Sequence, residues 1–215
     1  MTKPQITTFV LGEFQTNCFI VTTEGNDECW IVDCGFEPES MLDYIQSNGL
    51  KPSALLLTHA HSDHIAGVDL ALSRFGSMPM YIHEAEAGFC SDPMLNLAAH
   101  MGMDLRVSEP DNLLKHDDTL TLGESTWRVV HAPGHSPGGI LFVHDKSKQA
   151  IVGDTLFAGS IGRFDFPTSN ADNLRQTISE VLMSLPDDMT IHPGHGPSTT
   201  IGHERTTNPF VLQGF

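Results

Sequence analysis

The sequence predicts a mixed α/β (α+β) fold in one domain covering residues 1–215. Three observations carry that reading. Segments with strand character alternate with helical ones in both halves of the chain, which is the pattern of α/β and α+β proteins. No low-complexity linker interrupts the 215 residues, a length that suits one sizeable domain. The pattern Pro-Gly-His-x-Pro occurs twice, as PGHSP (133–137) and PGHGP (193–197), each just after a predicted strand. That echo is short enough to arise by chance, and it also suits two related halves.

The elements follow in order. ITTFVLG (6–12), NCFIVTT (17–23) and CWIVDCG (29–35) are rich in β-branched and aromatic residues and separated by turn residues, so they read as strands. In 37–49, Met41, Leu42 and Ile45 followed by Gly49 predict a short helix with a glycine stop. SALLLT (53–58) is a continuous apolar run, as expected of a strand buried on both faces. Ile65, Val68, Leu72 and Phe75 recur at helical spacing and predict one helix over 63–76, ended by Gly76. MYIH (80–83) is a further strand. Residues 84–116 look helical but irregular, and their methionines suit either a pocket lining or gap filling. Strands return at 119–123, 125–133, 138–145 and 149–154. Leu174, Ile178, Val181, Leu182 and Leu185 predict an amphipathic helix over 171–185, followed by a last strand at 189–193 and a polar, helical tail.

Composition narrows the function. Eleven basic against 27 acidic residues give a net charge of −16, which repels nucleic acid and anionic membrane surfaces. The start has no basic segment leading into an apolar block, and no apolar run approaches a bilayer span. The four cysteines, Cys18, Cys29, Cys34 and Cys90, form no C-x-x-C pair and suit reduced thiols. The expectation is a soluble cytoplasmic protein acting on a small molecule; the oligomeric state is left open.

The chemistry concentrates in LLLTHAHSDHIAG (55–67). Any one of its polar residues has an ordinary explanation: Ser62 or Asp63 as a helix cap, His64 as a first-turn residue. As a group they ask for a cation. His59 and His61, two apart in a tight loop leaving a buried strand, can converge on one metal, and Asp63 and His64, one turn further, on a neighbouring point. Imidazole and carboxylate are the ligands that Zn²⁺-like cations prefer, and the lack of thiolates speaks against a purely structural site. One loop cannot fill two shells, and His135, Asp154 and His195 each sit past a predicted strand beside a glycine that allows a sharp turn. The other seven histidines (His83, His100, His116, His131, His144, His192 and His203) read as background, His131 and His192 less firmly because they lie close to the PGH histidines.

Taken together, T-H-A-H-S-D-H, P-G-H, G-D and P-G-H, in that order over residues 58–195, resemble the metallo-β-lactamase fold superfamily. The resemblance implies a four-layer αββα sandwich of two similar halves, which would account for the PGH echo. It implies two divalent metal ions, Zn with Fe or Mn as alternatives. His59, His61 and His135 would hold the first, Asp63, His64 and His195 the second, and Asp154 would bridge both. Asp33 matches a buried aspartate beneath the site that supports the ligand loop; its plain alternative is a turn residue. A water between two cations falls from a pKa of about 15.7 toward ~7, which is roughly 10 kcal/mol or more of help toward deprotonation. Metal-bound hydroxide would attack a carbonyl, with Asp63 and Asp154 as the catalytic carboxylates.

GDTLFAGSIGRFDFPTSN (153–170) and the ending HPGHGPSTTIGHERTTNPF resemble compact, single-domain relatives of glyoxalase II, the hydroxyacylglutathione hydrolase. The implied reaction is hydrolysis of a thioester such as S-lactoylglutathione. Arg163 would take the place of a glutathione-contacting lysine, with a plain surface cation as its alternative, and Ser160 is a weaker substrate contact. The helical domain that classical members carry at the C-terminus has no counterpart after His195, which puts glutathione specificity in question. The main alternative is a mononuclear iron persulfide dioxygenase, which the G-R-x-D-F segment also resembles. Lactone or other ester hydrolysis on the same scaffold comes next, and a metal-storing protein without turnover is the non-enzymatic reading.

Overall fold

The computed structural model describes residues 3–76 and 78–215. Its contacts divide the chain into two compact units, Met1–Leu114 with Leu120–Thr126, and Lys115–Thr119 with Trp127–Phe215.

The first unit is built on a six-stranded sheet ordered β1 to β6: β1 (Gln5–Leu11), β2 (Thr16–Thr22), β3 (Glu28–Val32), β4 (Lys51–Leu56), β5 (Met80–His83) and β6 (Asn112–Leu114). β1, β2 and β3 run antiparallel, and β3 to β6 are parallel neighbours. The parallel pairs need crossovers. The first is α1 (Glu39–Ser47), which buries Met41, Leu42 and Ile45 as expected and is followed by Gly49 at φ +65°. Ala54 to Leu57 are all buried, as the apolar run predicted. β6 was not foreseen. It is short and mostly exposed at the sheet edge, so it carries almost no hydrophobic pattern. The rest of 84–111 has only short 3₁₀ turns at Glu84–Glu86 and Ala98–Met101.

The helix predicted over 63–76 is two helices, α2 (Ser62–Ile65) and α3 (Val68–Phe75). The break has a packing cause. Gly67 N–H donates to Cys34 O (2.7 Å), and a Cβ on Gly67 would lie 2.5 Å from Gly35 O. The chain leaving β3 thus presses against the helical segment and interrupts it, while Ile65 and Val68 stay buried on the predicted face.

The second unit holds a sheet ordered β14-β13-β10-β9-β8, with β7 (Thr119–Leu122) at its edge, a strand whose residues divide between the units. The others are β8 (Ser125–His131), β9 (Ile140–His144), β10 (Gln149–Gly153), β13 (Thr190–Pro193) and β14 (Thr199–Thr200). β8, β9 and β10 are antiparallel, whereas β10 and β13 are parallel. A hairpin of β11 (Leu156–Phe157) and β12 (Ser160–Ile161) follows β10. The helix predicted over 171–185 is regular only in α4 (Ala171–Gln176); Thr177–Val181 widens to a π turn and Leu182–Ser184 tightens to 3₁₀. Leu174, Ile178, Leu182 and Leu185 are nonetheless buried against the sheet, and Val181 is half-buried. The polar tail forms α5 (Ile201–Thr207) and α6 (Pro209–Gln213). Among the described residues no helix is long and apolar enough to cross a membrane.

Candidate metal centre

In the first unit β4 delivers Thr58 to His64 at its C-terminal end. The rings of His59 and His61 lie 4.6 Å apart and those of His59 and His64 4.1 Å. His64 Nε2 is 3.5 Å from Asp63 Oδ2. Each of these pairs offers ligand atoms within 4.8 Å of one another, so the loop is a His/Asp cluster of metal-binding type.

The donor atoms are set by a clasp beneath the loop. Asp33 is buried, just past β3, at φ +57°. This is the left-handed region, which Asp tolerates better than most residues. Its Oδ1 accepts from Thr58 N–H (2.8 Å), and its Oδ2 from Thr58 Oγ1 (2.7 Å) and His64 Nδ1 (2.8 Å). His64 therefore carries its proton on Nδ1. Thr58 spends its one hydroxyl proton on Asp33, so its oxygen, 3.1 Å from His59 Nδ1, acts there as acceptor. His59 is then protonated on Nδ1 as well. Both rings then turn Nε2 toward the cluster, the orientation a metal ligand needs.

In the second unit β8 leads to His135, β10 to Asp154 and β13 to His195. Asp154 Oδ2 lies 3.4 Å from both His135 Nε2 and His195 Nε2. His135 Nδ1 is 2.8 Å from the carbonyl oxygen of Arg163, an acceptor only, so this ring too presents Nε2. Close backbone contact sets the spacing. A Cβ on Gly162 would lie 1.8 Å from Asp154 O, and one on Gly134, at φ +141°, 2.4 Å from Leu174 Cα. Of the glycines beside the predicted ligands, Gly134 and Gly153 have positive φ; in the second PGH the left-handed residue is Gly196, one past His195.

All seven predicted ligands thus lie at or beyond the ends of β4, β8, β10 and β13, and the structure groups them as four in one unit and three in the other. His131 and His192 brace the echoed loops. His131 Nε2 meets Pro137 O at 2.9 Å and His192 Nδ1 meets Ser198 Oγ at 3.0 Å, six residues along the chain in each case. The predicted substrate contacts lie on the hairpin and just beyond it. Ser160 is half-buried on β12. Arg163 is exposed, doubly hydrogen-bonded to Asp165 (2.9 Å twice), and stacked 4.2 Å from the Phe166 ring centroid.

Sequence reasoning missed several supporting residues. Thr58 had a signal, as the polar residue between the apolar strand and His59. Thr16, whose hydroxyl donates to Asp63 Oδ2 (2.9 Å), and Glu86, fully buried and accepting from Ala60 N–H (2.6 Å), had none, because both lie far from the motif in the chain. The cysteines are free and buried, as expected of reduced thiols. Burial pushes the Cys29 and Cys90 thiols up to about 12, and it raises Cys18 and Cys34 as well, with Asp33 adding to the effect. None is suited to act as a thiolate ligand or nucleophile.

The profile of the metallo-β-lactamase superfamily matches residues 11–195. The chain belongs to that superfamily. It is similar to a probable metallo-hydrolase, YqgX, of Bacillus subtilis, 35% identical over 206 residues covering 95% of this chain and 96% of the relative. It is also similar to the hydroxyacylglutathione hydrolase GloC of Haemophilus influenzae, 34% identical over 200 residues, 92% and 93% of the two chains. The crystal structure of the BLEG-1 B3 metallo-β-lactamase superposes with a TM-score of 0.91 at 37% identity, covering 96% of this chain and 99% of the other. By sequence, fold and ligand cluster this superfamily member is a metallo-hydrolase.

Proposed function

We propose that the protein binds two divalent cations and hydrolyses small-molecule thioesters of the S-lactoylglutathione type. His59, His61 and His135 would hold the first cation and Asp63, His64 and His195 the second, and Asp154 would serve both. The observation that carries metal binding is the common orientation of three histidines: His59, His64 and His135 all have Nδ1 within hydrogen-bond distance of a protein oxygen, which turns Nε2 to the cluster. Imidazole and carboxylate donors without thiolate suit Zn, with Fe or Mn as alternatives. Such cations supply Lewis acidity and an acidified water.

The chain's own groups do the rest. Asp33 and Thr58 hold two imidazoles with Nε2 turned to the cluster. Thr16 steadies Asp63, whose carboxylate orients the attacking water and accepts its proton. Arg163 meets the anionic thiol carrier, and it must share its guanidinium with Asp165 to do so. Ser160 is a second contact from the same segment. The buried thiols are unsuited to nucleophilic attack, which supports attack by water. The likeness to GloC and the GDTLF…GSIGRFDFP segment support the thioester class.

The test is turnover of S-lactoylglutathione and a small thioester panel by protein reconstituted with Zn, Mn or Fe, with Asp154→Ala as control. Thioester cleavage with about two metals per chain is expected, falling more than ~100-fold in the variant, since even partners that only orient a ligand are worth 10–100-fold. Full activity in Asp154→Ala sinks the bridging role, and one iron with oxygen uptake on glutathione persulfide replaces the hydrolase by a dioxygenase. The likeness to BLEG-1 favours a second reading, β-lactam hydrolysis, which a cephalosporin in the same panel reads directly.

A further inference from the structure

The ending of the chain contains a fully buried pair, Glu204 and Asn208, that the reaction does not use. Three donors converge on the Glu204 carboxylate. Gly159 N–H (2.8 Å) and Asn208 Nδ2 (2.8 Å) reach Oε2, and Thr199 Oγ1 (2.6 Å) reaches Oε1. Asn208 Nδ2 also donates to Ser160 O (2.9 Å), while its Oδ1 caps α6 through Phe210 N–H (3.0 Å). Gly159 and Ser160 form the tip of the β11–β12 hairpin. The pair therefore pins this tip from the C-terminal helices.

The hairpin also ties the second unit's ligands together. It begins two residues after Asp154, and Gly162, the residue that follows β12, packs against Asp154 O. The next residue, Arg163, offers the carbonyl that sets the His135 tautomer. On the hairpin itself, the Phe157 ring stands edge-on to His195 at 6.0 Å. All three ligands thus touch one segment whose free end is held by Glu204. A buried carboxylate with three protein donors holds its partners in one geometry, and removing it leaves each donor without its acceptor.

We propose that Glu204 is a positioning residue: through the β11–β12 hairpin it fixes Asp154, His135 and His195 in the arrangement that takes a cation. This rests on the binuclear reading above, but its test needs no substrate. Cobalt(II) affinity and its visible absorption band are measured by titration on the purified full chain, beside the melting temperature. In Glu204→Ala the affinity is expected to fall about 10-fold or more, the range for removing partners that orient ligands, with a changed band. Glu204→Gln keeps an oxygen for Gly159 and is expected to restore both to within about threefold, an approximate margin inside that range. Thr199→Val, which removes one donor and no ligand contact, covers the case in which the alanine variant does not fold; it is expected to alter the band while remaining folded. A lowered melting temperature with wild-type cobalt affinity and band in Glu204→Ala, or in Thr199→Val if the former does not fold, overturns the proposal. Cobalt binding by the wild type without thioester turnover sinks the substrate reading alone and leaves this one standing.

Discussion

In the first unit the ligand loop is held by side chains that reach it from distant segments: Asp33 grips Thr58 and His64, and Glu86 grips Ala60 between two of the histidines. In the second unit the immediate neighbours of the ligands are backbone at close range, with the Glu204 carboxylate acting one step away through the hairpin. Gly162 lies against Asp154, Gly134 against Leu174, and a carbonyl rather than a carboxylate orients His135. At the ligands themselves, the first arrangement depends on charge and hydrogen-bond valence, and the second on the absence of side-chain volume. The two halves should therefore fail under different substitutions although both hold the same kind of ligand.

Asp33→Ala strikes the first arrangement hardest. It strands three buried donors at about 1–3 kcal/mol each, and it frees the His64 ring, so metal affinity is expected to drop about 10–100-fold. Competition with a chelator reads the affinity and a thermal melt reads the fold. Asp33→Asn, which keeps an acceptor, is expected to recover part of both, and equal damage in the two variants would break the valence argument. Gly162→Ala strikes the second arrangement. The methyl group has no room beside Asp154 O, and overpacking of this kind costs about 1–3 kcal/mol. Urea unfolding should show that loss together with weaker metal binding, whereas an unperturbed midpoint would remove the close-packing account. The smallest effect is expected from Arg163→Ala. His135 is held by the backbone carbonyl of residue 163, which alanine retains, so metal content should stay at the wild-type level while KM for a glutathione thioester rises and kcat holds. A fall in metal content instead would give the side chain a part in placing His135.

The His/Asp cluster was legible because its chemistry is local. His59, His61, Asp63 and His64 share six positions, and His135, Asp154 and His195 each follow an apolar strand beside a glycine. The fold class was legible from strand and helix periodicity for a similar reason. What escaped depends on contacts remote in sequence. The interruption between α2 and α3 comes from the chain leaving β3, which no periodicity in 63–76 records. The π turn after α4 keeps the apolar face intact, so the heptad-like pattern conceals it. β6 is an exposed edge, and Thr16, Glu86 and Glu204 act on Asp63, Ala60 and Gly159, which lie 47, 26 and 45 positions away.

The Asp33 clasp also dictates an order of events as the chain matures. Asp33 comes within reach of Thr58 and His64 only once β3 and β4 lie side by side, and they form a parallel pair with α1 between them. Non-local pairing of this kind is among the slower steps of folding. A newly made chain thus completes the sheet before its histidines can offer Nε2 in concert. A metal is then expected to meet a site already folded, unlike the small zinc modules whose metal drives their folding. Chelation should then strip the ions and leave the molecule folded, ready to be loaded again with whichever cation the surroundings supply.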